Sequence, residues 1–153
     1  MRITVAAVGR QRPGPLKALQ DLYADRITWP LTLHEVEERR HTLRPSELKE
    51  REAQLLRAKI PEGAFLITLD QRGVTLESEG FARRLEAWRL RGVPDLAFVI
   101  GGAEGVAESL RAGSNLVLSL GTMTWPHLLA RTMLLEQLYR AQQILAGHPY
   151  HRR

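Results

Sequence analysis

Two apolar runs in the second half of the chain each end in a turn with little side-chain bulk. The first reads Leu96-Ala97-Phe98-Val99-Ile100-Gly101-Gly102-Ala103-Glu104-Gly105. The second reads Leu116-Val117-Leu118-Ser119-Leu120-Gly121-Thr122-Met123-Thr124-Trp125-Pro126. Turns of this kind at the carboxyl ends of neighbouring strands are where an open α/β sheet takes up a nucleotide-like ligand. Glycine there allows positive φ and lets a flat ligand approach the exposed N–H and C=O groups. The spacing Gly101-Gly102-x-x-Gly105 is not the dinucleotide fingerprint G-x-G-x-x-G, and no G-x-x-x-x-G-K-[ST] occurs. Both absences argue against hydride transfer at a dinucleotide site of that type and against P-loop phosphate chemistry. Taken alone, the first pattern is also that of a tight strand-to-helix turn with no ligand. The second adds apolar walls and backbone hydrogen-bonding groups, which adenine recognition requires, although Met123 and Trp125 also fit as plain core residues.

A basic, aromatic tail follows: His148-Pro149-Tyr150-His151-Arg152-Arg153. A tyrosine can stack on an unpaired base while arginines meet phosphates, a division of labour suited to single-stranded RNA. The competing reading is an unstructured terminus. His148-x-x-His151 has the look of a metal pair but lacks a third ligand, so no metal site is expected.

Composition narrows the classes further. The chain has 153 residues, 44% of them hydrophobic, enough for one domain with a real core over residues 1–153. It has no cysteine, which excludes disulfides, a thiol nucleophile and cysteine-based zinc sites. No apolar run reaches the ~18 residues of a membrane span. The start, Met1-Arg2-Ile3-Thr4-Val5-Ala6-Ala7-Val8-Gly9, reads as a first strand rather than a signal peptide, so a cytoplasmic location is expected. The formal charge of +5 suits a polyanionic partner, though the arginine excess also fits genome composition or a hot habitat.

The elements that position these residues follow from periodicity. Residues 3–8 read as a strand and 14–27 as a helix carrying Leu16, Leu19, Leu22, Tyr23 and Ile27. Leu31, Leu33 and Val36 mark a second strand, followed by a charged connector, Glu37 to His41. Pro45 opens a helix in which Leu48, Leu55 and Leu56 face inward, with Glu47, Lys49, Glu50, Arg51 and Glu52 on a solvated face. Residues 64–69 are a buried strand, 70–73 a loop, and Ser78 the N-cap of a helix presenting Phe81, Leu85 and Trp88. A strand over 95–100, a short helix near 104–111, a strand over 115–120 and a long helix from Pro126 to about Leu145 complete the alternation. The fold class is therefore α/β, with a mainly parallel sheet flanked by helices. The last helix is apolar on more than one stripe, as a central or interface helix would be.

In order and spacing, these segments resemble the ribosomal large-subunit pseudouridine N3-methyltransferase family (RlmH), within the SPOUT superfamily. The resemblance runs through Val5-Ala6-Ala7-Val8-Gly9, Ile67-Thr68-Leu69-Asp70 and Ser78-Glu79-Gly80-Phe81-Ala82. It continues in Phe98 to Gly105, Leu118 to His127, Glu136-Gln137-Leu138-Tyr139-Arg140-Ala141 and Pro149-Tyr150-His151-Arg152. It implies an S-adenosyl-L-methionine-dependent enzyme with a C-terminal trefoil knot, a topology that pattern reasoning alone would not propose. Carried onto this chain, the cofactor pocket would use Leu69, Gly101, Gly102, Leu120, Gly121, Thr122, Met123, Thr124 and Trp125. The implied product is N3-methylpseudouridine in 23S rRNA, made on the assembled ribosome by a homodimer in which one subunit's tail completes the other's pocket.

Methyl transfer to that nitrogen requires loss of its proton, so a base or a stabiliser of the anionic ring is needed. The catalytic candidates are His127, His151 and Arg152, suited respectively by near-neutral imidazole pKa and by fixed positive charge. His127 can equally be a packing residue at a helix start. His148, Tyr150, His151, Arg152 and Arg153 are the RNA-binding candidates. The competing functions are a non-catalytic ribosome-binding or assembly factor and a SPOUT methyltransferase acting on another RNA.

Overall fold

The computed structural model describes residues 1–152. Strands and helices alternate as β1 (Arg2–Val8), α1 (Pro15–Arg26), β2 (Leu31–Val36), α2 (Pro45–Arg57), β3 (Phe65–Thr75), α3 (Ser78–Leu90), β4 (Asp95–Ile100), α4 (Glu108–Ala112), β5 (Leu116–Ser119) and α5 (His127–Leu145). The five strands form one sheet in the order β2-β1-β4-β3-β5, and each pairing is parallel. This is the expected α/β arrangement. Parallel strands need helical crossovers, and those crossovers cover both faces of the sheet.

The period-two alternation of each strand sorts the core into two layers. Ile3, Val5, Ala7, Ile67, Leu69, Leu96, Phe98 and Ile100 face Phe81, Leu85 and Trp88 of α3 and Leu134, Leu135 and Leu138 of α5. Ala6, Val8 and Val99 face Ala53 and Leu56 of α2 and Leu110 of α4. Helix α5 packs against both α1 and α3. Much of its wide apolar girth is thus used inside one chain.

Local differences from the sequence reading have local causes. Residues 70–73 are not a free loop; they belong to β3, whose pairing with β5 shifts register between Leu69 and Val74. The irregularity is built on Gly73, where an added Cβ would lie 2.5 Å from the Val117 carbonyl oxygen. Ser78 is the first residue of α3 rather than its cap: Glu77 holds the cap position, and the Ser78 hydroxyl donates to Gln137 Oε1 at 2.7 Å. The short helix begins only at Glu108, because residues 101–107 are taken up by a turn closed through Gly102 and Gly105. Pro126 caps α5 rather than opening it. Glu52 is buried, not solvated. Ile27, the C-cap of α1, packs into the core, but Leu19 and Leu22 within the helix are exposed.

Because Gly73 meets main chain rather than a movable side chain, Gly73→Ala should destabilise the fold by about 1–3 kcal/mol, the usual cost of overpacking. Urea unfolding measures this; an unchanged midpoint would mean that β3 and β5 part easily here.

Candidate functional site

The carboxyl ends of β3, β4 and β5 lie side by side, so the segments that leave them share one space. That space is a pocket of about 340 Å³, within the range of small-molecule sites. Leu69 to Arg72 contribute from β3, Ile100 to Val106 from the turn after β4, and Leu118, Leu120, Gly121, Met123, Thr124 and Trp125 from the β5 side. His127 and Ala130 of α5 complete the wall. Of the nine residues anticipated for a cofactor, the structure brings eight to this pocket; Thr122 is exposed and outside its lining. Met123 and Trp125 are not core residues. They are 71% and 40% exposed, on the pocket rim.

Each glycine turn is held open by its own contacts. A Cβ on Gly101 would lie 2.7 Å from the Gly105 carbonyl oxygen, and one on Gly102 would lie 2.9 Å from Val8 Cγ1. Gly105 N–H donates to the Gly102 carbonyl at 3.0 Å. In the second turn, Gly121 sits at φ +121°, where side chains are strained. Ser119 staples it: its hydroxyl donates to the Gly121 carbonyl at 2.8 Å and accepts from the Gly121 N–H at 3.1 Å. Below them Asp70 accepts from Arg72 and Arg111, each at 3.1 Å.

Three residues at this site were not singled out from sequence. Glu52 reaches from α2 to Gly102, with its carboxylate oxygens 3.0 and 3.2 Å from where a Cβ would sit. Burial pushes its carboxyl pKa up, the Gly102 N–H pulls it down, and the negative charges of Glu104 and Glu38 raise it. Arg131 is only 2% exposed. Its guanidinium donates to the carbonyls of Gly9 at 2.8 Å and Val8 at 3.2 Å, and lies 3.7 Å from Glu35 Oε2. The third, Gly9, ends β1 against the His127 ring: a Cβ there would lie 2.8 Å from His127 Nε2. The sequence did carry a signal for two of them. Glu52 falls between Leu48 and Leu56 on the inward stripe of α2, and Arg131 falls between His127 and Leu135 on that of α5, both at i, i+4, i+8 spacing.

The tail lies elsewhere. Residues 148–152 are absent from the pocket lining. Tyr150 O–H donates to Glu136 Oε1 at 3.1 Å, its ring meets Tyr139 edge-on at 4.8 Å, and the Arg140 guanidinium covers it at 4.9 Å. Burial, and next the hydrogen bonds with Tyr23 and Glu136, push its phenol pKa up. His151 Nε2 is 3.5 Å from Glu79 Oε1, and the His148 N–H donates to the Gln143 carbonyl. Arg152 is exposed; Arg153 lies outside the described residues. Within one chain the structure therefore unites His127 with the turns and keeps His151 and Arg152 apart from them. Among the described residues, no group of three or more His, Asp and Glu is set to hold a metal ion, and no helix is long and apolar enough to cross a membrane.

A pocket at the carboxyl ends of parallel strands is the usual ligand site of an open α/β sheet. Comparison with known proteins specifies it. Residues 1–151 match the family model described as "Predicted SPOUT methyltransferase". The chain is 59% identical over 152 residues to the ribosomal RNA large subunit methyltransferase H of Rhodospirillum centenum and 52% identical to that of Rhodospirillum rubrum, each alignment covering 99% of both chains. A probable methylase family protein from Haemophilus influenzae has a similar fold, with a TM-score of 0.58 at 9% identity, over 99% of this chain and 70% of its own. A methylase family protein from Neisseria gonorrhoeae gives 0.57 at 11% identity, over 99% and 87%. The chain belongs to the SPOUT methyltransferase family.

Burial, and next the charge of Arg131, hold the His127 imidazole below its ordinary pKa of 6.5. The folded state therefore binds this proton less readily than the unfolded chain does. The contribution to stability is complete above 6.5 and is lost as pH falls through that value towards the folded pKa. An NMR titration should give a His127 midpoint under 6.5; a midpoint at or above it would mean that the ring is solvated.

Proposed function

We propose that this chain is an S-adenosyl-L-methionine-dependent methyltransferase of 23S ribosomal RNA, acting on N3 of a pseudouridine in the assembled ribosome, in the bacterial cytoplasm. The observation that carries the reading is the convergence of Leu69, Gly101 and the Leu120–Trp125 turn on one pocket. Family membership and the full-length likeness to large-subunit rRNA methyltransferases support the reaction class and substrate.

The residues present fit the cofactor. Gly101 and Gly102 let the turn after β4 pack directly on Gly105, Val106, Val8 and Glu52 and so present main chain to the pocket, while Met123 and Trp125 offer exposed apolar surface. When bound, S-adenosyl-L-methionine supplies an electrophilic methyl group on a sulfonium. The chain's own work is then to hold the adenosyl group against the main chain of the two turns, to exclude water with Met123 and Trp125, and to fix the reacting atoms in line. His127 is the proton acceptor in this reading: burial favours its neutral form at pH 7, and it lines the pocket.

Two further features belong to the same proposal. The segment after edge strand β5 passes β3 and β4 on the pocket side to bring His127 against Gly9, the residue after β1. That path is what a trefoil knot over residues 101–127 would require. The tail, bound to α5 and α3 away from its own pocket, serves the pocket of a second copy in a homodimer. A groove of about 450 Å³ between α3 and α5, lined by Phe81, Leu118, Leu120, Met133 and Leu134, is the apolar face for that copy. His151 and Arg152 would there stabilise charge on the base, with Tyr150 and Arg153 holding RNA.

Isothermal titration should register S-adenosyl-L-methionine binding, and Gly101→Val should weaken it by roughly ten-fold or more, equivalent to about 1.4 kcal/mol. Mass spectrometry of rRNA from ribosomes treated with the protein should show one added methyl on a pseudouridine. Cofactor binding with no methyl added would instead favour a non-catalytic ribosome-binding factor, and methylation of another RNA would reassign the substrate. Sedimentation at micromolar concentration should give a dimer; a monomer would remove the shared-site arrangement.

A further inference from the structure

The loops that follow β1 and β2 leave the sheet side by side, at the same edge as the pocket. Val8 pairs with Val36, and the Gly9 N–H donates to the Val36 carbonyl at 2.9 Å. Gly9 in turn touches His127, a wall of the pocket, and Val8 lies under Gly102. Residues 10–14 and 37–44 therefore extend the pocket's rim across the β1–β2 side of the sheet.

Both loops are fixed from beneath. Gln11 is buried, and its N–H donates to Glu35 Oε2 at 2.7 Å, while Arg131 holds the Gly9 carbonyl. In the second loop Glu38 accepts from Arg40 at 3.2 Å and from Arg51 of α2 at 2.8 Å. Its pKa is pushed down to about 2, chiefly by the hydrogen bond from Arg40. Farther on, Arg44 pairs with Glu47 at 2.7 Å. The carboxylates of Glu35, Glu38 and Glu47 are thus engaged by these inward or local partners. Arg10, Arg12 and Arg39 are exposed and have no ion-pair partner among the described residues, while Glu37 remains in solvent. Two anchored loops thus hold three arginines outward beside the pocket, and planar guanidinium forks match phosphate oxygens.

We infer that Arg10, Arg12 and Arg39 form an RNA-backbone docking edge that carries the strand flanking the target base past the pocket of the same chain. The inference rests on the RNA-methyltransferase reading and deepens it. Arginines bonded to phosphates orient and hold the nucleic acid without reading sequence. The tail does not provide this contact beside its own pocket, since Tyr150 and His151 are bound to α5 and α3.

The test compares two sets of equal charge change. One replaces Arg10, Arg12 and Arg39 with Gln. The other replaces Arg57, Lys59 and Arg91, exposed residues in the segments leading into the amino ends of β3 and β4. Binding to unmethylated bacterial ribosomes is measured from low to moderate KCl at fixed magnesium, with S-adenosyl-L-methionine affinity measured alongside. Loss of three phosphate contacts should lower the slope of log affinity against log salt by about 2, at roughly 0.7 per contact for a single strand. Cofactor affinity should stay within about two-fold, far less than the roughly ten-fold that 1.4 kcal/mol represents. Lysine at the same three positions should restore most of the slope. An unchanged slope in the first set, or an equal fall in the second, overturns the docking edge. Because the slope is read from binding, it is separate from methyl transfer: absence of methylation by the unaltered protein would sink the proposed function instead.

Discussion

Three strands that run parallel in adjacent positions must deliver their following segments to the same place, and this constraint organises the molecule. Leu69 pairs with both Ile100 and Leu118, so β4 and β5 end level with, or one residue past, the point where β3 shifts register. Three ordinary loops could not share that volume without filling it. The chain resolves the crowding by removing side chains: Gly101 and Gly102 are within 3 Å, at the Cβ position, of atoms that cannot be spared. What is left is a concavity walled in part by the main chain of the two glycine turns. A surface of N–H and C=O groups with apolar rims suits a flat, hydrogen-bonding group.

Buried polar groups hold the concavity in shape. Arg131 and Glu52 are the two charged side chains driven farthest into the region behind the pocket, one from each helical layer. Arg131 ties α5 to the end of β1, and Glu52 ties α2 to the turn after β4. Burying such groups is costly unless hydrogen bonds compensate. Stability alone would be served as well by apolar residues of similar volume. Their effect here is positional: they fix two carbonyls and one N–H that border the pocket, and Arg131 also bears on the proton affinity of His127.

The sequence was most legible where one physical signal dominates. Continuous apolar runs identified β3 and β4, i, i+4, i+7 spacing identified α3, and the glycine turns identified the pocket before any distance was known. It was least legible where a residue's role depends on a partner distant along the chain. Glu52 among Lys49, Glu50 and Arg51 looks like part of a solvated face; only the fold brings it to Gly102. Gly73 reads as a loop residue until Val117 is beside it. The tail shows the same limit differently. Its residue types suit RNA, yet Glu136, Arg140 and Tyr139, which engage Tyr150, lie on a helix whose orientation local pattern does not reveal.

The central claim is that the main chain around Gly101 and Gly121 jointly holds an adenosyl group. Backbone amide NMR of the protein titrated with S-adenosyl-L-methionine tests it directly. The account predicts saturable shifts concentrated at Leu69, Gly101, Gly102, Leu120 and Gly121, with α1 and the far ends of the strands unmoved. Shifts confined to the α3–α5 groove, or to only one of the two glycine turns, would contradict it.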